Sequence, residues 1–557
     1  MSGLLNEVTL SYVDRLVEDN GRAKVLLLDS DTTAILSLAS TQSRLLRKDV
    51  FLIDKIDNYQ RQKMRHLDCT VFVRPTSASI SSVLEELHDP KYGKYSLVFS
   101  NLLRKSQLER MAEADDYSCV ERVQEMLLDY LKINTDFFHC NVPIPWASSY
   151  QTWDTEAFET CSESMFAMIA SLKIGKPQLR YDINSSLSRQ FVQKLGQELQ
   201  ANSGILPSSN KKGQNLVLVL DRFNDPVTPL ISHWTYQAMV DELLGIVNNR
   251  VDLHLAPDVP PSHREIVLSQ DQDAFFKDSM FLNFGDLGAA VRDYVQHYSS
   301  KSKSSEQLET VADIKKFVDM LPDFRKLQDN TTKHVSLVGE LSRLVSEEHL
   351  LEVSEVEQSL ACSDNHSSDL QSIRKLIALP NLSPVIKYRV VCLYGLRFRT
   401  NSQFQFGQLM QALKIQYGDN ALDSSVHTLM KIYSANKFPQ EDLFSQGSLF
   451  NRAQLGLKGL RGVENVYTQH KPLLESILSL LVRNKLPIEK YPFTAPPNGE
   501  QELGCVLIFV IGGVTFEEAR VVGEWNKLGN TPKVILGGTD VINPKKFLRV
   551  IEETNWS

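Results

Sequence analysis

The sequence lacks any apolar run long enough to cross a lipid bilayer. Its most apolar stretch, Cys505 to Ile511, is far shorter than the roughly 20 residues that a membrane helix needs. The first residues carry neither a basic segment nor a long apolar core, and no prenylation cysteine precedes the final Trp556 and Ser557. These absences predict a protein that associates with membranes only through its partners.

Cysteine is also scarce, with seven residues in a chain of 557 and no paired spacing among them. An odd, scattered set is typical of reduced thiols in the cytosol and gives no sign of a disulfide framework. The net charge of −8 lacks the basic excess of a nucleic-acid-binding surface. We therefore expect a cytoplasmic protein that binds no nucleic acid.

The N-terminal part of the chain carries the pattern of an α/β fold. With 42% apolar and 23% charged residues, the chain is long enough for about two to four folded domains. Short apolar, β-branched runs occur at 24–29, 50–53, 69–73 and 95–99. Polar stretches with helical spacing separate them, which predicts a doubly wound parallel sheet over about residues 20–140.

Three further strand patterns lie far apart in the sequence, at 215–220, 505–511 and 533–536. Neither region holds enough strands for a stable sheet of its own. Pairing between the two regions would complete one sheet, with the long and mostly helical stretch between them as an insertion. The sequence therefore predicts a split second α/β domain.

The helical middle contains two long amphipathic segments. The first runs from about residue 308 to Pro322, and the second from Phe324 to about residue 360. Apolar positions of the second segment include Leu327, Val335, Val338 and Leu341. Such helices form either a packed bundle or a protruding hairpin whose groove binds partner helices, and the periodicity leaves both open.

The strongest candidate for catalysis is the pair Asp29 and Asp31, directly after the first strand pattern. In haloacid-dehalogenase-type phosphatases, the first such Asp attacks phosphate and the second acts as an acid. That chemistry also needs a downstream lysine and paired acidic magnesium ligands; Ser100 fits a second motif, but no strand pattern ends in paired carboxylates. Because Asp and Thr after a strand also cap turns, capping is the preferred interpretation.

Other candidates for ligand binding are weaker. Gly512-Gly513 and Gly537-Gly538 follow strand patterns but match no phosphate-binding glycine motif. Asp221 and Asp225 suit a cation, but local pairing of Asp221 with Arg222 and a turn at the Asp-Pro pair are the preferred interpretation. Histidine and cysteine never reach the spacing of a zinc site. The sequence therefore predicts no enzyme activity, no cofactor and no metal site.

Seven segments, spread over nearly the whole chain, carry a specific family resemblance. They include KVLLLDSDTTAILSLASTQSRLL (24–46) and LIFVIGGVTFEEAR (507–520), with others at 95–115, 216–244, 272–288, 321–341 and 461–472. In this order they resemble the SM family, the Sec/Munc-type syntaxin-binding proteins. They are most similar to the branch of that family that serves fusion at the trans-Golgi network and endosomes.

The resemblance implies an arch of three domains. Domain 1 would be residues 1–135, and domain 2 would be residues 136–246 together with 472–557. Domain 3, mainly helical, would be residues 247–471, with the hairpin at about 305–360. The implied function is that of a monomeric regulator that binds a syntaxin-type SNARE and its complex and promotes SNARE assembly for vesicle fusion.

The resemblance also implies a pocket for the N-terminal peptide of the SNARE. Ser106 to Glu109 matches a capping box, which predicts that a helix begins at Ser106, and a second helix is predicted from about 118 to 132. The family pocket lies between two such helices, and Leu108 matches a pocket position. The expected pocket residues are Leu108, Met111, Val120, Val123 and Leu127. The alternative, that all of them are plain core, stays open.

Two charged regions flank these elements. Between residues 109 and 129, seven acidic residues outnumber two arginines, which suits a basic peptide but is equally typical of a solvated face. Between residues 44 and 65, seven basic residues outnumber three acidic ones. The resemblance places this side against SNARE helices, so the expected contacts are Arg61, Lys63 and Arg65. Ala34 and Thr41 lack the basic side chains of neuronal members, so a clamp on closed syntaxin like theirs is not expected.

Two other functions remain as alternatives. A phosphatase built on Asp29 and Asp31 predicts magnesium-dependent turnover of a phosphate ester. A passive tether scaffold predicts binding to large complexes without direct contact to SNARE helices. In the favoured interpretation the helical hairpin is the template surface for SNARE helices, with Pro322 at the position where the family bends.

Overall fold

The computed structural model describes residues 4–18, 22–147, 149–207, 213–305, 311–435, 444, 466–496, 502–529 and 531–554. For residues 301–305 and 311–324 it describes the backbone alone. Three units are defined by their sheets and helices: a first unit around one parallel sheet, a second unit around a larger sheet, and a third, mainly helical unit. No helix among the described residues has the length and apolar character needed to cross a membrane.

A five-stranded parallel sheet in the order β2-β1-β3-β4-β5 organises the first unit. Its strands are β1 Lys24–Leu28, β2 Val50–Lys55, β3 Asp68–Val73, β4 Tyr95–Phe99 and β5 Val120–Glu125. Its helices are α1 Leu4–Leu16, α2 Ser30–Ala39, α3 Gln42–Leu46, α4 Ser77–His88 and α5 Lys105–Ala114. Alternate strand residues enter two separate apolar cores, because helices cover both faces of the sheet. The doubly wound parallel sheet predicted from the sequence is confirmed.

The segment after α5 is a strand, so the prediction of a helix from about 118 to 132 is wrong. Asp115 ends α5 by accepting hydrogen bonds from the N–H groups of Cys119 at 2.8 Å and Val120 at 3.0 Å. A register shift then pairs Tyr95 with Val120 but Ser96 with Arg122. This bulge lets Val120 and Val123 share one face of β5, and their spacing therefore imitates a helix.

Six strands in the order β6-β7-β13-β12-β9-β8 form the sheet of the second unit. They are β6 Leu131–Asn134, β7 Phe137–His139, β8 Gln178–Tyr181, β9 Gln214–Asp221, β12 Leu503–Ile511 and β13 Lys533–Gly538. The helices of this unit are α6 Thr155–Ser171, α7 Ser186–Ala201, α17 Leu473–Val482, α18 Phe516–Lys527 and α19 Pro544–Glu553. β9 pairs in parallel with β12, which confirms the split domain. β6 pairs with β7, so the predicted boundary at residue 135 falls within one hairpin of this sheet.

The third unit lies between the two parts of the second unit in the sequence. It holds the short strands β10 Arg250–Asp252 and β11 Glu265–Val267, which pair with each other. Its helices are α8 Tyr236–Leu243, α9 Ala274–Ser279, α10 Phe284–Ser305, α11 Val311–Glu347, α12 Leu350–Cys362, α13 His366–Ala378, α14 Pro384–Phe398, α15 Phe406–Tyr417 and α16 Ala421–Ala435. Their apolar faces meet in one core, as the predicted helical insertion requires.

The long helix α11 passes through Pro322 without a break, so the predicted stop at this residue is wrong. Proline removes one backbone hydrogen bond, but the bonds on both sides continue to propagate the helix. α11 has 37 residues and ends before His349, which adopts a left-handed conformation with φ 49°. The hairpin is therefore formed by α10 and α11, and residues beyond His349 belong to the separate helix α12. The predicted position 308 lies outside the described residues.

Candidate binding surfaces

The carboxylate of Asp29 is engaged in capping and in joining elements of the first unit. It accepts hydrogen bonds from the backbone N–H and the hydroxyl of Thr32, both at 2.8 Å, and from the Ser79 hydroxyl at 2.7 Å. The N–H of Arg74 donates to its second oxygen at 2.7 Å. A carboxylate with this many donors is poorly suited to attack phosphate, and the geometry favours the capping interpretation.

Arg74 occupies the carboxyl end of the first sheet beside Asp31. Burial, followed by the negative charge of Asp29, raises the pKa of Asp31. The guanidinium of Arg74 lies 3.3 Å from carboxylate oxygens of both Asp129 and Glu163. Ser100 donates to Asp129 at 3.0 Å. Within the described part of the chain no three histidine, cysteine or acidic residues are arranged to hold a metal ion.

The glycine pairs and the Asp221–Asp225 turn have structural explanations. A Cβ atom at Gly537 would overlap the ring of Phe138, and one at Gly512 would approach Trp146, so close packing requires both glycines. Asp221 accepts hydrogen bonds from Ser185 at 2.6 Å and from the N–H of Phe223 at 3.0 Å. Asp225 caps the turn at Thr228 and neighbours Arg222 at 3.4 Å. These residues therefore already have protein partners.

The α5/β5 surface is defined by Leu108 and Met111 on α5 and by Val120 and Val123 on β5, which are four of the five expected pocket residues. Met111 is buried in the core beneath α5, and Val120 packs against the same core. Val123 is paired with Leu97, another member of that core, so Val123 lies on the face covered by α5. Leu108 is 45% exposed and Val123 40% exposed. Two apolar side chains, one on each element of this surface, thus remain open to solvent.

Helix α5 begins one residue earlier than predicted. The backbone N–H of Arg104 donates to the side chain of Gln107 at 2.9 Å, and Ser106 lies inside the first turn. Leu127, the fifth expected pocket residue, is buried in the core shared with the second unit, so its assignment to the pocket is wrong. The reason is the strand after α5, which ends at Glu125 and sends Leu127 toward another core.

The acidic rim of the α5/β5 surface is smaller than the sequence indicates. Asp129 is buried beside Arg74, and Asp115 caps the turn before β5. Glu109, Glu113 and Asp116 are exposed. They lie on α5 or in the turn that follows it, among the exposed Arg104, Lys105 and Arg110, and Glu109 pairs with Lys105 at 3.7 Å.

The expected basic contact Arg61 is buried, so its assignment to a SNARE-facing patch is wrong. Its guanidinium lies 2.5 Å from Glu86 and donates to the carbonyl of Ile56 at 3.0 Å. A buried arginine is stable only with such partners. Lys63 and Arg65 are exposed, and Lys63 pairs with Asp89 at 2.5 Å. Their role as contacts stays a prediction.

A cleft between the first and third units presents a different set of basic residues. Its volume is about 550 Å³, and its walls include Arg44, Arg47 and Lys48 on one side and Asp271 and Gln272 on the other. These basic residues belong to the basic region 44–65 but are not among the contacts expected from the sequence. Exposed Leu46 and Phe51, at 53% and 66% exposure, flank them on α3 and β2. In the sequence, the signal for this surface is the basic pair Arg47-Lys48 beside the apolar Leu46 and Phe51. The alternation of apolar and polar residues does not reveal it.

Helix α11 has a buried half and a projecting half. Leu341 lies on the predicted hairpin helix but is fully buried in the core of the third unit, so it offers no surface to a partner helix. Val338 packs partly against that core, whereas Val335 is 45% exposed. Leu327 is half-buried beside exposed neighbours on the projecting part. Leu327, Val335 and the backbone around Pro322 therefore remain the predicted contacts for SNARE helices on α11.

The buried half of α11 is attached to the third unit by a polar cluster. His334 is fully buried, with one ring nitrogen 2.8 Å from the Tyr236 hydroxyl and the other 2.9 Å from Asp273. Lys333 also binds Asp273. Burial acts to raise the pKa of Asp273, but the contacts with His334 and Lys333 hold it below its usual range. These contacts fix the helix where it leaves the core.

The model of the Sec1 family matches residues 24–550 of the chain. The chain belongs to this family, the SM proteins, and the resemblance recognised in the sequence is confirmed. Vacuolar protein sorting-associated protein 45 of Schizosaccharomyces pombe is 40% identical over 543 residues, which cover 97% of each chain. The human protein of that name is 38% identical over 542 residues, covering 97% of this chain and 94% of the human one.

A solved structure shows the same architecture in a complex. It is described as the SM protein Vps45 in complex with the Qa SNARE Tlg2. It matches this chain with a TM-score of 0.90 and 42% identity, and covers 99% of this chain and 98% of its own. The three-unit fold expected from the resemblance is therefore confirmed.

Proposed function

We propose that the protein binds a syntaxin-type SNARE and promotes assembly of its SNARE complex in vesicle traffic of the trans-Golgi network and endosomes. The observation that carries the proposal is the full-length match to a protein whose structure was solved with a Qa SNARE. No catalytic step is part of this function, which agrees with the capping role of Asp29. The protein would join membranes peripherally, through the SNARE itself.

The α5/β5 surface is the proposed site for the N-terminal peptide of the SNARE. Leu108 and Val123 offer exposed apolar contacts over the buried Met111, so a peptide side chain can bury its own apolar area there. The exposed carboxylates of Glu109, Glu113 and Asp116 lie among the exposed Arg104, Lys105 and Arg110, so this surface offers partners to peptide side chains of either charge.

The cleft and the projecting half of α11 are the proposed sites for SNARE helices. Arg47 and Lys48 face the cleft and suit acidic side chains of a partner helix. Val335 and Leu327 add apolar contacts on α11. An extended α11, continuous through Pro322, gives a helical partner a long surface to pack along.

A pull-down with purified cytosolic SNARE domains tests the proposed function directly. Binding of the syntaxin-type SNARE is expected, and binding of large tethering complexes without any SNARE would support the passive scaffold instead. Turnover of a phosphate ester that is lost in Asp29→Asn would support the phosphatase.

The peptide site is tested by calorimetry with a synthetic SNARE N-terminal peptide. Leu108→Arg should abolish binding, because a charged side chain replaces the apolar contact. Leu528→Arg is the matched control, since Leu528 is 54% exposed in the second unit. Unchanged affinity in folded Leu108→Arg protein would refute the assignment of the peptide to this surface.

A further inference from the structure

Lys132 is a buried lysine at the place where the three units meet. It belongs to β6 of the second unit, and its side chain is only 3% exposed. Its ammonium donates to the Asn6 side chain of α1 at 2.9 Å and lies 2.5 Å from Asp271 of the third unit. Burying an ammonium group is costly unless it is paired, so these two contacts strongly favour one arrangement of the units.

Backbone contacts of the turn between β6 and β7, close to Lys132, strengthen this junction. The N–H of Leu5 in α1 donates to the carbonyl of Thr135 at 3.2 Å. The N–H of Thr135 in turn donates to the side chain of Gln270 at 3.0 Å. The turn between β6 and β7 therefore holds the first unit on one side and the loop 269–273 of the third unit on the other.

The loop 269–273 also reaches helix α11. Asp273, two residues after Asp271, accepts a hydrogen bond from the N–H of Phe276 at 3.0 Å and caps α9. The same carboxylate binds Lys333 and His334 at the start of the buried half of α11. One short loop thus connects Lys132 to the point where the hairpin leaves the core.

This loop forms one wall of the cleft described above. Asp271 and Gln272 face Arg44, Arg47 and Lys48 across it. Arg44 is already paired with Asp14, both guanidinium contacts being 2.9 Å long. The position of the loop therefore decides how far the two basic residues Arg47 and Lys48 lie from the third unit.

We propose that the Lys132–Asp271 contact is a latch that sets the width of the cleft and the direction of α11. The proposal rests on the proposed function, because it describes the regulation of the surface assigned there to SNARE helices. A partner helix that fits only the wider cleft binds the released form, so partner binding and latch release favour each other. The loop 269–273 transmits the release to α11 through Asp273.

Distance measurements between spin labels on the full chain test the latch without any SNARE. Labels at Gln42 on α3 of the first unit and at Gln328 on α11 of the third unit, both exposed, report the distance between these two helices, with the exposed Cys362 replaced by serine. Lys132→Met keeps the volume and removes the charge, and it should give a longer and broader distance distribution than wild type. Asp278→Asn, an exposed position on α9 next to the loop, is the matched control and should match wild type.

A distribution for Lys132→Met that superimposes on wild type overturns the latch. Should that variant fail to fold, Asp271→Asn breaks the same contact from its more exposed side, and an unchanged distribution overturns the proposal equally. Calorimetry with a SNARE cytosolic domain then separates the two proposals. A severalfold change in affinity in Lys132→Met supports regulation, and unchanged affinity despite a changed distance overturns it. Absence of binding by wild type counts against the proposed function alone.

Discussion

The two halves of helix α11 differ in what surrounds them. From Thr331 to Val345 the helix buries Leu337, Leu341 and a polar cluster on His334 in the core of the third unit. From Arg325 to Asp329 most side chains are exposed. The hydrogen-bonded backbone is continuous across both halves, so a helix held by tertiary contacts at one end extends a surface into solvent at the other. Stability and partner binding should therefore respond to different residues of one helix.

The largest expected effect is at Asp273. Asp273→Asn leaves the ammonium of Lys333 buried without its carboxylate, which should lower the free energy of unfolding by about 3–5 kcal/mol at neutral pH. Urea denaturation followed by circular dichroism measures the change. A loss below 1 kcal/mol would mean that the polar cluster does not anchor the helix.

A matched pair of apolar truncations compares a buried position with an exposed position of the buried half. Leu341→Ala creates a cavity in the core and should cost about 2–5 kcal/mol, because Leu341 is fully buried. Val335→Ala, six residues earlier and 45% exposed, should cost less than about 0.5 kcal/mol. Equal losses for the two variants in the same urea titration would contradict the placement of Leu341 in the core and of Val335 at the surface.

The pH dependence of stability should report the same cluster. Because the folded pKa of Asp273 lies below its ordinary value, the stabilisation is present above about pH 4 and is lost as the pH falls toward the folded pKa. The difference in unfolding free energy between wild type and Asp273→Asn should shrink over that range. A constant difference from pH 7 to pH 3 would assign the effect to packing instead of charge.

Strands were predictable because their signal is local. The runs at 24–29, 215–220 and 505–511 are apolar on both faces, as buried parallel strands require, and their pairing followed from the small number of strands in each region. The edge strand β5 was not predictable in this way, because a bulge places Val120 and Val123 on one face and gives them the spacing of a helix. Pro322 is a similar case. Proline locally favours the end of a helix, but α11 continues on both sides of this residue.

Site residues were harder to predict, because burial of a charge depends on partners far away in the sequence. Nothing near Arg61 shows that Glu86 will meet it in the core, whereas the exposed Lys63 has the same local surroundings. The choice of Leu108 as a pocket residue came from the family resemblance and stays a prediction. Lys132 carries no local signal at all, since its two partners lie in α1 and in the third unit.

The smallest effect on stability, with a clear effect on function, is expected in the projecting half. Reversing the charge of Arg325 and Lys326 to glutamate should change the unfolding free energy by less than about 0.5 kcal/mol, because both side chains are exposed. The same change should slow SNARE-dependent fusion of reconstituted vesicles and leave the affinity for the SNARE N-terminal peptide unchanged. Arg374 and Lys375 on α13 form an exposed pair of the same sequence, so their reversal controls for charge alone. Normal fusion rates with the Arg325 and Lys326 variant would remove the projecting half from the template role and leave it a structural extension of the buried half.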